Sequence, residues 1–279
     1  MWHCMHGLKR TGDGLPSRLL MSSRMPSGVA GGTSPAKSPN LADGGHERIG
    51  PKGEKAQMVA EMIRTLSRDP FSVQFLRPWL WSLLPAHSPL GDRLPWMNFR
   101  AIRWLNAYLT PKMRVFEYGA GGSTLFAARR AGSVISIEHD PAWHARVVRA
   151  LDEEGITNVD LRLVPAEWRP SGTDIPYGPE SYTSANPKAA GYSFEGYVRT
   201  IDGEPDRSFD LVIVDGYARF SCVAHAIPKV KRGGCLLFDD TDWKKYHTAA
   251  ALLDGFPRRD FVGVTPFQRD IRQTSVWRL

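Results

Sequence analysis

The ten residues Val115–Thr124 constrain the fold most tightly. An apolar, β-prone run, Val115-Phe116-Glu117-Tyr118, passes into Gly119-Ala120-Gly121-Gly122, and a helix-compatible stretch follows from Leu125 to Arg130. That order predicts a strand, a tight turn and a helix N-terminus. Gly119 and Gly121 lack a Cβ, so the backbone can turn sharply there and come close to a ligand. Twenty-one residues after Glu117, a second apolar run, Val134-Ile135-Ser136-Ile137, ends in Glu138. An acid at the tip of a second strand is placed to accept hydrogen bonds from ribose hydroxyls. Together these features predict a nucleoside-binding βαβ unit.

The dinucleotide fingerprint asks for glycines in the spacing G-x-G-x-x-G/A. Here the third position is Thr124, and Gly122 does not restore the spacing. Glu117 would repel a pyrophosphate but suits an ammonium or sulfonium. The pattern E-x-G-x-G-x-S resembles motif I of the class I S-adenosylmethionine-dependent methyltransferases. The resemblance implies that Glu117, Gly119, Gly121 and Ser123 line the methionine side of S-adenosylmethionine and that Glu138 holds its ribose. It covers about residues 95–279. It also implies the fold class: α/β, a Rossmann-like, doubly wound, seven-stranded, mostly parallel sheet with an antiparallel last strand.

The alternation along the chain agrees. Strands are expected at 113–118, 133–138, 159–164, 209–215 and 233–239, and helices at 122–131, 141–154, 219–230 and 242–254. Such alternation means a parallel sheet covered on both faces. Asp140-Pro141 opens its helix with proline in the first turn. The segments 260–264 and 274–278 have no helix between them, so they are expected to pair as an antiparallel hairpin. In the family it resembles, the final strand inserts between the fifth and sixth.

Three regions are expected. Residues 1–50 are rich in Gly, Ser and Pro and read as a disordered tail, because few large apolar residues offset chain entropy. Residues 51–94 read as an accessory helical region, with a helix over 54–68 and an apolar stretch, 71–84, whose Trp79 and Trp81 are assigned to core packing. Residues 95–279 form the cofactor-binding domain, entered through a helix capped by Asn98 with Ile102, Leu105 and Leu109 on its inner face.

The 279 residues carry a net charge of +7, of which residues 1–55 supply +4. The remainder is weakly basic and shows no dense Lys/Arg patch, so nucleic acid is not an expected partner. No apolar run reaches the ~18 residues of a membrane helix, and no membrane partner is expected. Cys4, Cys222 and Cys235 are far apart and make no C-x-x-C, which points to a cytoplasmic protein without a disulfide framework.

The chemistry is expected at the ends of the fourth and fifth strands. Phe209–Val214 leads to Asp215-Gly216, and Cys235–Phe238 leads to Asp239-Asp240. In a parallel sheet these ends emerge side by side. Converging carboxylates repel unless a cation sits between them or one is protonated. Two readings stand: Asp215, Asp239 and Asp240 hold Mg²⁺, or they cap helices at strand ends. The arrangement resembles metal-dependent small-molecule and sugar O-methyltransferases, which implies Mg²⁺ on those three residues. The basic residue that such enzymes often carry shortly after the strand-four Asp is replaced here by Tyr217 and Ala218, with Arg219 next. Asp215 and His139 are therefore the catalytic candidates, and His225 is a further candidate base.

At the third strand end, Ala166 and Glu167 occupy the place where the family contacts adenine, and Trp168 offers a stacking face. Residues 168–192 form a long insertion, either a substrate lid or an inert excursion. A less characterised bacterial family shows F-E-Y-G-x-G-x-S-T, I-E-H-D, D-G-x-x-R and T-S-x-x-W-R. This chain matches with Phe116–Thr124, Ile137–Asp140, Asp215–Arg219 and Thr274–Arg278.

The expected activity is methyl transfer to oxygen on a small molecule or sugar. An aminopropyltransferase on the same fold and a non-catalytic cofactor-binding protein are the alternatives. DNA-amine methylation is disfavoured by the missing N/D-P-P-Y/F after strand four, and cytosine methylation by the lack of a Pro-Cys nucleophile. The acceptor's identity and the oligomeric state are not readable from the chain.

Overall fold

The computed structural model describes residues 70–169 and 177–279, together with Ala60 and Ile63. The tail expected over 1–50 and nearly all of the helix expected over 54–68 lie outside the described residues.

Seven strands form one sheet: β1 (Arg114–Tyr118), β2 (Ser133–Glu138), β3 (Val159–Leu163), β6 (Phe209–Val214), β7 (Val230–Phe238), β8 (Arg258–Val264) and β9 (Ile271–Arg278). Their order is β3-β2-β1-β6-β7-β9-β8. The first five are parallel to one another. β9 runs antiparallel to both of its neighbours. The sheet is thus the expected α/β, Rossmann-like, mostly parallel arrangement with the last strand inserted between the fifth and sixth. A separate two-stranded ribbon pairs β4 (Glu167–Trp168) with β5 (Tyr192–Ser193).

Alternation across the pleat sends side chains to opposite faces. In β1, Val115 joins one apolar layer, with Leu211, Leu237 and Val276. Phe116 and Tyr118 join the other, with Val212, Phe238 and Trp277. Burial on both faces explains why β6 reads as a nearly continuous apolar run.

Local signals behave as their chemistry requires. Asn98 is extended and accepts a bond from the Ala101 N–H at 3.0 Å, starting the helix Phe99–Tyr108. Asp140 accepts from the Trp143 N–H at 2.8 Å and starts Pro141–Glu153. The helix expected over 242–254 shrinks to His247–Ala251. Residues ahead of it are held differently: the Thr241 N–H bonds Gln273 O, and the Trp243 N–H bonds Asp240 O.

Trp79 is fully buried, and its indole N–H donates to Gln268 O at 2.8 Å. Trp81 corrects the core assignment, because it is 63% exposed. The helix carrying both, Leu76–Ser82, can bury only one side, and Trp81 lies two residues on from Trp79.

Candidate active site

The backbone ladder continues past the strand ends and aligns the candidate residues along one edge. The Val164 N–H bonds Glu138 O at 2.8 Å, and the Gly119 N–H bonds Ile137 O at 2.9 Å. The Asp215 N–H bonds Tyr118 O at 3.1 Å, and the Asp239 N–H bonds Val214 O at 3.2 Å. Glu138, the glycine turn and Asp215 therefore sit on three adjacent strands. At the usual inter-strand spacing they span roughly 10 Å.

Glu117 lies beneath the turn and is fully buried. Its Oε2 accepts from Thr124 Oγ1 at 2.5 Å and from Ser136 Oγ at 2.6 Å. Ser136 is its cross-strand neighbour on β2. Thr124 Oγ1 in turn accepts from the Gly121 N–H at 2.9 Å. Burial raises the Glu117 pKa, opposed by hydrogen bonds from Ser123, Ser136 and Thr124. Glu117 and Ser123 thus hold the shape of the turn from within, and Glu117 Oε1 is sealed without a partner.

Each glycine of the turn has its own reason. Gly119 has φ +94°, and a Cβ there would lie 2.8 Å from the Gly216 Cα on β6's exit. A Cβ on Gly122 would lie 2.1 Å from the Pro89 carbonyl oxygen and 2.3 Å from that of Leu94. At Gly121 the nearest atom to such a Cβ is on Trp143, at 3.7 Å. A Cβ there would meet the Trp143 ring at ordinary contact distance, so Gly121 is the least crowded of the three.

Glu138 is held by three local groups, all on one oxygen. The His139 N–H at 2.7 Å and the Asp140 N–H at 2.8 Å both bond Oε1, and His139 Nδ1 lies 2.9 Å from it. Oε2 takes none of them. The carboxylate is fixed with one oxygen left to accept. His139 packs against Tyr217, Phe194 and Tyr197, at ring separations of 4.3, 5.5 and 6.2 Å. Its Nε2 is sealed and unpartnered. His225 lies elsewhere and pairs with Asp202 at 2.8 Å.

At the tips of β6 and β7 the cation between the carboxylates is Arg219. Its Nη2 donates to Asp215 Oδ1 at 3.0 Å and to the Asp215 carbonyl at 3.1 Å. Nη1 donates to the Asp239 carbonyl at 2.8 Å and to Asp240 Oδ2 at 3.2 Å. Nε donates to Gly216 O at 2.9 Å. These five bonds match the five donors of a guanidinium. Asp239 is buried, and its Oδ1 accepts from Thr274 Oγ1.

This corrects the metal expectation. The space between Asp215 and Asp240 is filled by a guanidinium, Asp239 turns to Thr274, and the donor set does not fit a divalent ion. No group of three or more His, Cys, Asp or Glu among the described residues is arranged to hold one. Capping does not describe Asp240 either: among the described residues no backbone N–H bonds its carboxylate, which faces Arg219 and Arg272.

Both exits pass through left-handed backbone at non-glycine residues, Ala218 with φ 47° and Asp240 with φ 58°. Such conformations cost about 1–3 kcal/mol each and cluster at functional sites. Burial raises the Asp215 pKa to about 7, offset by Arg219 and reinforced by Asp240 and Glu117. Its side chain keeps 18% exposure, so water screens part of that rise.

The adenine candidates separate. Ala166 is half-buried beside the core and lies two residues beyond the Val164 bond to Glu138. Glu167 is exposed and pairs with Arg169 at 2.5 Å. Trp168 packs against Tyr192 at 4.9 Å and so anchors the insertion. The described part of that insertion is docked. Ser181, Tyr182 and Ala189 are buried, and the Tyr182 N–H bonds Ser221 Oγ at 3.2 Å.

The sheet order defines a Rossmann-like α/β architecture with one antiparallel strand inserted near the edge. No protein-family model and no curated protein matches the chain. Among solved structures it is similar to an rRNA methylase from Streptococcus thermophilus (13% identity, TM-score 0.44, covering 63% of this chain and 93% of that one). It is similar to a methyltransferase-like protein from Silicibacter pomeroyi DSS-3 (24% identity, TM-score 0.41, 63% and 84%). A third is a Streptococcus mutans protein solved in complex with S-adenosylhomocysteine (12% identity, TM-score 0.44, 63% and 94%). No helix among the described residues is long and apolar enough to cross a membrane.

Proposed function

We propose that this protein is an S-adenosylmethionine-dependent methyltransferase that methylates a hydroxyl group of a small molecule. The observation that carries the reading is Glu138. Its carboxylate is fixed through Oε1 by two backbone N–H donors, with His139 Nδ1 2.9 Å away, while Oε2 stays unengaged, one strand from the glycine turn. A rigid acceptor beside a glycine turn suits a ribose diol and the chain attached to it.

Bound S-adenosylmethionine supplies an electrophilic methyl group on its sulfonium. The protein's share is to seat the cofactor, bring the acceptor oxygen in line and take up the acceptor's proton. Glu138 and the Gly119–Gly121 turn seat it, with Glu117 supporting the turn from below. Asp215 takes the proton. Its Oδ1 is held by Arg219, Oδ2 is not, and a carboxyl raised toward neutrality is matched to general-base work. His139 is less suited, because its Nε2 is closed off by the surrounding rings.

Titration of S-adenosylhomocysteine by calorimetry tests the reading. A hydrogen bond to a charged group is worth about 1.5–3 kcal/mol, so Glu138→Ala should weaken binding by roughly tenfold or more. Equal affinity in the two proteins would remove Glu138 from the site. No binding to the wild type would remove the function.

A further inference from the structure

Between the docked insertion and the segment leaving β7 lies a cavity of about 500 Å³. That size is typical of small-molecule sites. One wall carries Ala189, Ser184 and Tyr177, and the other carries Lys244, Lys245 and Thr248. The cavity adjoins the carboxylate cluster. Tyr177 packs on Phe220, next to Arg219, at 5.4 Å. Tyr246, beside Lys245, holds the Arg219 guanidinium over its ring at 4.9 Å.

Charge separates the lysines from the other cations nearby. Arg219 is paired with Asp215 and Asp240. Arg272 is paired with Asp242 and Asp270. Lys244 and Lys245 make no ion pair among the described residues. The Lys245 ammonium lies 3.8 Å from the Trp243 ring centre and 4.9 Å from that of Tyr246. Burial, and then Arg219, lower its pKa. Two cations at a concave site, one partly desolvated and near the Asp240 carboxylate that Arg219 holds, and neither in an ion pair among the described residues, leave an attraction for a negative group. The alanines and Tyr177 offer apolar contact, and the hydroxyls of Ser184 and Thr248 offer hydrogen bonds.

We propose that this cavity holds the methyl acceptor and that the acceptor is a small molecule carrying a carboxylate or phosphate seated on Lys244 and Lys245. The word acceptor rests on the methyltransferase reading; the anion site does not. The two lysines are adjacent on one short segment, which favours a compact ligand over a polymer, whose backbone needs an extended basic surface.

The test is calorimetry on the full chain loaded with S-adenosylhomocysteine, at fixed ionic strength. The probes are 4-hydroxybenzoate, its uncharged amide and inorganic phosphate. The benzoate is expected to bind at least about tenfold tighter than the amide, through charge-assisted hydrogen bonds. The double variant Lys244→Gln, Lys245→Gln should lose that preference and the phosphate binding, while its affinity for S-adenosylhomocysteine stays unchanged. Equal binding of benzoate and amide, binding of neither anion, or a preference surviving in the double variant overturns the proposal. Displacement of phosphate by a single-stranded oligonucleotide with a steep salt dependence also overturns it, and assigns the lysines to nucleic acid. If S-adenosylhomocysteine does not bind, the cofactor reading fails, and the same titrations without it still decide the anion site.

Discussion

Arg219 links three acids and two strand tips with bonds that occupy its whole guanidinium. Its side chain is 11% exposed. Removing one partner of such a buried pair costs about 3–5 kcal/mol, so Arg219→Met should lower the melting temperature sharply, and an unchanged value would show the clamp to be idle. Asp215 carries a pH signature. Its folded pKa is raised from 3.8 to about 7, so its contribution to stability is complete below about pH 4 and is lost as pH rises through about 7. Asp215→Asn stays neutral throughout. Its melting temperature should therefore gain on the wild type as pH rises from about 4 to about 7 and level off above that, by an amount reduced by solvent screening. A difference that is flat with pH would mean that Asp215 is ionised across the range. The sequence shows the acids and even the Asp-Gly-x-x-Arg spacing, yet not which cation they choose. That choice depends on carbonyls at Asp215, Gly216 and Asp239, which belong to two different strands.

The glycine turn shows how one element serves two masters. At Gly121 it meets the Trp143 ring at ordinary contact distance, and at Gly122 it receives the carbonyls of Pro89 and Leu94 so closely that no side chain fits. Gly122→Ala should cost about 1–3 kcal/mol through overpacking, read as a lower melting temperature. A neutral result would mean that the 89–94 segment gives way freely. Strands and helices with strong periodicity were legible. β2 runs from Ser133 to Glu138 as expected, and Asn98 and Asp140 cap as expected. Elements set by distant contacts were not. β7 begins at Val230 rather than 233 because Phe209 on β6 pairs there, ahead of an irregularity in the register. The expected helix over 242–254 loses its start to bonds with β9 and to a turn at Asp240. The correction on metal belongs here too. Without an ion bridging β6 and β7, EDTA and Mg²⁺ should leave the melting temperature within about 1 °C of each other, and a larger shift would show a divalent ion that stabilises the fold.

At the scale of the whole molecule, the sheet brings every local signal to one edge. Four ladder bonds beyond the strand ends place Glu138, the glycine turn, Asp215 and Asp239 on consecutive strands. That alignment follows from parallel topology, which the alternating sequence makes legible. The cavity beyond it was not legible, because its walls come from residues about 60 apart in the chain, Thr183 to Lys245. The central claim is that the cofactor occupies this edge. Hydrogen exchange followed by mass spectrometry, with and without S-adenosylhomocysteine, locates the ligand directly. The account predicts slowed exchange in peptides covering 117–124 and 137–141. Binding that protects neither peptide, or protects only segments on the opposite edge of the sheet, would contradict it.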